Sequence, residues 1–268
     1  MPEFSLLMNK VRKSYPGPDV GTDILRDISF KAYPFEFICV MGSTGCGKTT
    51  LMRILSGIER PGGGQFYFYK SNASEGIPRR LLQNLGVVFQ SDNLLEWRTV
   101  YENVRLPLEI FGGRKGKNTE KTILELLTLV GLQDYRDCYP KELSGGMRQR
   151  CAIARSLAHS PDLLLLDQPF GALDAITRKT LNLELLRLWK ERKKTVIMVT
   201  NSVNEALTLA TRVLVLSPAP ASIVGEVYVT LSYEERTHDL LTNPKFLTLR
   251  GELEEMVRSQ SETGGLPS

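Results

Sequence analysis

This 268-residue chain has only four cysteines and two histidines, and it lacks long apolar runs. The four cysteines, Cys39, Cys46, Cys138 and Cys151, show no paired spacing of the kind that holds a metal, so they read as reduced thiols. No apolar stretch reaches the length of a membrane span, and the N-terminus lacks the charged and apolar regions of a signal peptide. The chain is therefore expected to stay in the cytoplasm and to meet a membrane only through partners. Neither sign of charge dominates: 34 basic and 30 acidic side chains are intermixed, for a net charge of +4, which gives no nucleic-acid footprint.

What the chain does have is a phosphate-binding loop. Gly42-Ser43-Thr44-Gly45-Cys46-Gly47-Lys48-Thr49 fits the spacing G-x-x-x-x-G-K-[ST]. The apolar run Phe37–Met41 reads as a buried strand entering it, and Thr50–Leu55 as the helix leaving it. Gly42, Gly45 and Gly47 let the backbone turn its N–H groups towards phosphate oxygens, and the helix N-terminus adds partial positive charge. Lys48 would reach the β- and γ-phosphates of a nucleotide, and Thr49 would offer its hydroxyl to Mg²⁺. A second apolar strand, Leu163–Leu166, ends in Asp167, which is placed to complete the Mg²⁺ site. One such loop, without an internal repeat, excludes two tandem nucleotide sites.

The rest of the chain predicts an α/β fold. Residues 4–15, 24–32 and 65–69 read as strands of a β-rich N-terminal part, and Val87–Phe89 as another short strand. Helices are expected over residues 99–111, interrupted at Pro107, over 118–130, stopped by Gly131, and from Gly145 to His159 with Ser144 as cap. Downstream lie a helix over about 174–190, a strand over 195–199, a helix over 203–210 and a strand over 212–216. That alternation implies a mostly parallel sheet with helices on both faces. One or two strands over 223–231 and an amphipathic helix over 246–256 complete the pattern. Glu252, Glu254 and Glu255 make its apolar side a docking face rather than a membrane anchor.

Leu143-Ser144-Gly145-Gly146-Met147-Arg148-Gln149-Arg150, following the phosphate loop and preceding the Asp167 strand, resembles the signature motif of ATP-binding cassette ATPases. The resemblance runs from about residue 4 to 217. It implies a P-loop NTPase core with a mostly parallel sheet, an N-terminal antiparallel β part and a helical subdomain. The corresponding division is an ATPase domain over 1–235, a helical subdomain over about 91–160 and a helical extension over 236–268. By the same resemblance, ATP and Mg²⁺ are the ligands, held by Gly42 to Thr50 with Thr49, Gln90 and Asp167 around the ion. Tyr15 matches the aromatic that stacks on adenine, although a strand-end tyrosine is also an ordinary structural residue. Gly171-Ala172-Leu173-Asp174 matches the D-loop at the dimer interface.

Two cassettes of this family close head to tail, so Ser144, Gly145 and Gly146 would complete a site on a second ATPase subunit. Membrane permease subunits would dock near Leu94, Leu95 and Trp97 on the cytoplasmic side of the membrane, and an extracytoplasmic solute-binding protein would act through them. The motifs look most like the ATPases of nitrate, sulfonate, taurine and bicarbonate importers.

The family pattern has a glutamate after the Asp167 position and a histidine after the next strand. This chain has Gln168 and Asn201, and its only histidines, His159 and His238, follow no strand in the required place. An amide cannot take a proton from water, and loss of a general base costs about 10²- to 10⁴-fold in rate. The pattern predicts a naturally degenerate site on a heterodimeric ATPase. A non-hydrolytic regulatory module and a deliberately trapped mutant remain open readings of the same two residues. Phe35 stands where the family turns on glycine.

Overall fold

The computed structural model describes residues 5–17, 21–69, 71–111, 117–171, 173–237 and 240–263. Of the residues named above, Phe4, Ala172 and His238 lie outside this set. Two sheets organise the chain. The first contains β1 (Leu6–Tyr15), β2 (Thr22–Ala32), β4 (Gly63–Phe68) and β5 (Ser71–Asn72), antiparallel in the order β2-β1-β4-β5. The second contains β3 (Phe37–Gly42), β6 (Leu85–Val88), β7 (Leu163–Asp167), β8 (Thr195–Val199), β9 (Arg212–Leu216) and β10 (Ile223–Tyr228). Its order is β10-β9-β3-β8-β7-β6, parallel except for β10.

The central strands are buried along their whole length because both faces are covered. Their side chains alternate between two cores. Phe37, Cys39, Leu164, Leu166 and Met198 face one that includes most of the helices. Ile38, Val40, Leu163, Leu165 and Val199 face another, shared with the first sheet and with α1 (Lys48–Leu55). The helical part contains α2 (Val100–Ile110), α3 (Lys117–Leu129) and α4 (Gly145–Leu157), followed by α5 (Ala175–Arg192) and α6 (Val203–Leu209). At the end come α7 (Tyr233–Thr237) and α8 (Pro244–Thr263).

Two elements differ from expectation, α2 and the last helix. Pro107 does not interrupt α2, which runs through it and continues with the Phe111 amide bonded to the Pro107 carbonyl at 3.0 Å. The missing N–H removes one helical bond, while a Thr99/Glu102 capping box and the buried Val100 and Val104 hold the helix. The region 223–231 contains one strand, β10, within the one or two expected. The last helix passes both ends of the expected 246–256 range; at its start Asn243 accepts from the Lys245 amide. Phe35 has φ 67°, so the turn does need the left-handed backbone that glycine adopts freely.

Candidate functional site

The C-terminal ends of β3, β8, β7 and β6 lie side by side, and each releases one of the expected site segments. Register fixes their proximity: Val40 and Asp167 both pair with Val199, and Leu166 pairs with Val88. The phosphate loop follows β3, Asn201 follows β8, Gln168 follows β7 and Gln90 follows β6 by two residues. Ligands bind at this edge of open α/β sheets because the loops converge there.

Glycine geometry shapes the loop. Gly47 has φ 112° and Gly45 φ 80°, both in the left-handed region, and a Cβ at Gly47 would lie 2.9 Å from Ile24 Cγ2. Ser43, Gly47 and the exposed Thr44, Gly45 and Thr49 form the rim, while Cys46 is buried beneath it with its thiol pKa raised by desolvation. Lys48 is buried, and its Nζ donates to the carbonyls of Gly42 at 2.8 Å and Ser43 at 2.7 Å. Its ammonium is thus held at the loop mouth by two acceptors that phosphate oxygens can replace.

Asp167 is 1 % exposed, lies beside the Thr49 side chain, and carries a carboxylate oxygen, Oδ1, with no partner among the described residues. Burial pushes its pKa up, opposed by the Thr49 side chain and the Lys48 charge. A buried carboxylate oxygen without a donor is uncommon. A divalent cation between Thr49 and Asp167 would satisfy it, so the residues present fit Mg²⁺ on a nucleotide.

Gln168 and Asn201 are brought together. Asn201 Nδ2 donates to Gln168 Oε1 at 3.3 Å, and Gln168 itself has φ 48°, its amide bonded to the Val199 carbonyl at 3.0 Å. At the strand ends Asn201 is exposed and Gln168 half-buried. Two joined amides supply donors and acceptors but no base.

The remaining predicted residues divide. Tyr15 is tied to the segment that follows α1 through its hydroxyl, which donates to Glu59 at 2.5 Å. Gln90 is exposed beyond β6. Ser144 caps α4, its hydroxyl accepting from the Met147 amide at 3.3 Å, and Ser144 and Gly145 are exposed. Gly146 is packed: a Cβ there would lie 2.9 Å from Leu173 Cδ2.

Several residues that position these segments escape sequence reasoning. The loop after Gln90 is clamped to α4 by Arg148, bonded to the Asp92 carboxylate at 3.0 Å, and by Arg155, bonded to the Asp92 and Asn93 carbonyls at 2.7 Å each. Behind Asn201, Glu205 accepts from the Thr200 hydroxyl at 2.5 Å. The spacing Ser202-x-x-Glu205 signals only a helix cap, and Ser202 does cap α6. Nothing in it says that the carboxylate turns inward.

Comparison with known proteins is consistent with this geometry. The ABC transporter family model matches residues 25–171. The nitrate import ATP-binding protein NrtC of Synechococcus elongatus is 39% identical over 258 residues, which is 95% of this chain and 38% of that protein. The chain therefore spans well under half of that relative. The bicarbonate transport ATP-binding protein CmpD of the same organism is 36% identical over 247 residues, 91% of this chain and 87% of CmpD. Among solved structures, the dimeric bacterial ABC transporter cassette MJ0796 superposes with a TM-score of 0.77 at 31% identity, covering 85% of this chain and 100% of that one. The same cassette is also known as a dimer in a post-hydrolysis state bound to ADP and Pi.

Proposed function

The chain belongs to the ABC transporter ATP-binding family, and from that premise we propose that it is an ATP-binding subunit of a solute importer whose own hydrolytic site is degenerate. Relatives named for nitrate and bicarbonate import support the importer assignment, within the nitrate, sulfonate, taurine and bicarbonate group. The subunit sits on the cytoplasmic side of the membrane against permease subunits, and an extracytoplasmic solute-binding protein acts through them. The exposed Trp97, beside Leu94 and Leu95, offers the permease an aromatic contact.

The observation that carries the degenerate site is the Asn201–Gln168 amide pair beside intact binding machinery. Lys48 would exchange the Gly42 and Ser43 carbonyls for the β- and γ-phosphates of ATP, and Tyr15 would stack on adenine. Mg²⁺, held by Thr49, Gln90 and Asp167, supplies charge neutralisation at the phosphates. Gln168 and Asn201 can orient a water molecule but cannot accept its proton. Ser144, Gly145 and Gly146, with open N–H groups at the start of α4, complete the site of a second, competent ATPase subunit.

The test uses the transporter co-purified from its native membranes. Ser144→Arg, which puts bulk and charge where a partner's γ-phosphate would sit, is expected to lower ATP turnover by about 10²-fold or more. A rate within twofold of the unaltered assembly contradicts the composite site.

A further inference from the structure

A chain of polar contacts runs behind the site, from the segment Leu173-Asp174 to Asn201, and it has no part in holding phosphate or metal. Arg178, on the first turn of α5, donates from Nη2 to the Leu173 carbonyl at 2.8 Å. The same guanidinium faces the Glu205 carboxylate, Nε to Oε1, at 3.7 Å. Glu205 accepts from the Thr200 hydroxyl at 2.5 Å, and that hydroxyl in turn accepts from the Ser202 amide at 3.0 Å. Thr200 and Ser202 flank Asn201, so its backbone is held from both sides by one side chain. At the other end, Leu173 packs on Gly146, two residues from Ser144.

We infer that Arg178 and Glu205 are positioning residues that couple the Leu173-Asp174 segment to the placement of Asn201. This rests on the reading that Leu173-Asp174 meets a second ATPase subunit. A shift of the segment on subunit contact would pull the Leu173 carbonyl against Arg178, and Arg178 would draw on Glu205 and the Thr200 turn.

Three features make the contacts suited to transmission rather than to static bracing. Glu205 is 7 % exposed, with burial raising its carboxyl pKa, and among the described residues Arg178 is its one ion-pair partner, so the carboxylate cannot ignore a movement of the guanidinium. The 3.7 Å separation is longer than a hydrogen bond and leaves slack for a second arrangement. Outside the pair lies a cavity of about 510 Å³ lined by Arg178, Asn182, Ser202, Glu205, Thr208 and Arg236, among others. Side chains bordering a cavity can change rotamer without repacking a filled core.

The test reads Asn201 directly. In the full chain labelled with ¹⁵N-asparagine, the Asn201 side-chain amide is identified by its loss in Asn201→Ser. Arg178→Met and Glu205→Gln are each expected to move that resonance by more than its linewidth. The double variant is expected to move it no further than the larger single change, and Arg178→Lys, which keeps a cation between Leu173 and Glu205, to bring it back towards the original position. The Kd for MgATP stays within about twofold throughout, since Lys48 and Thr49 are untouched. An unmoved resonance, shifts that simply add, or no recovery with lysine overturns the coupling, as does a loss of nucleotide affinity that tracks the shifts. This experiment needs no partner and so fails only with the coupling, whereas an unaltered rate for Ser144→Arg fails only the composite site.

Discussion

Asp167 is the residue whose environment is least comfortable without a ligand. Its carboxylate is buried, its Oδ1 has no partner among the described residues, and its pKa is raised by desolvation. It therefore holds its proton more tightly in the folded than in the unfolded chain. The ligand-free protein loses that contribution as pH rises from the ordinary carboxylate range through the raised folded value. Ion binding strengthens over the same interval, because the proton and the cation compete for one group. Asp167→Asn is expected to raise the melting temperature of the ligand-free chain at neutral pH by about 2 °C or more, equivalent to ~1 kcal/mol, as seen by calorimetry. The same variant is expected to lose the Mg²⁺-dependent part of ATP affinity in titration calorimetry. A lower melting temperature would mean that the carboxylate is already satisfied. The meeting of Lys48, Thr49 and Asp167 at one place was expected from the sequence, because a phosphate loop has fixed residue types at fixed spacing and an apolar strand ends at Asp167. Arg178 and Glu205 were not legible in it, since a contact across 27 positions leaves no local pattern and the cap spacing of Ser202 and Glu205 has a sufficient local explanation.

Among the elements, α2 shows how local signals combine. Thr99 accepts from the Glu102 amide at 3.2 Å and Glu102 accepts from the Thr99 amide at 2.9 Å, a reciprocal cap that offsets the bond lost at Pro107. Thr99→Ala is expected to cost about 1 kcal/mol in urea unfolding. Nucleotide affinity should not change, because α2 packs on α3 and α4 rather than on the phosphate loop. The proline reads as a breaker only when propensity is weighed without the cap and the buried face. The reverse holds for β3, β7, β8 and β9. Their unbroken apolar runs announced strands covered on both sides, and the structure has them so. Their order was not legible, because parallel partners are chosen by packing across long crossovers: β3 pairs with β8 and β9, some 160 residues later in the chain.

For the whole molecule, the C-terminal extension is part of the core. Phe246 and Leu253 on α8 are fully buried in the same cluster as Val229, Leu231 and the helix-facing side of the parallel sheet. Phe246→Ala is expected to destabilise the chain by about 3–5 kcal/mol in denaturant unfolding, and a cost below 1 kcal/mol would make α8 a dispensable appendage. The amphipathic spacing revealed this docking face in advance, whereas α7 and the buried Arg236, bonded to the carbonyls of Leu231, Thr208 and Val229, gave no sequence signal. On the proposed reading, the fold and the phosphate loop make a subunit that binds ATP, with the amides of Gln168 and Asn201 where proton transfer would otherwise occur. The most direct measurement is single-turnover hydrolysis at this chain's own phosphate loop in the co-purified transporter, before and after Gln168→Glu with Asn201→His. The account predicts that bound ATP stays intact in the unaltered chain and that the double change raises the rate by about 10²-fold or more. Rapid hydrolysis in the unaltered chain, or a rate that the double change leaves where it was, would contradict it.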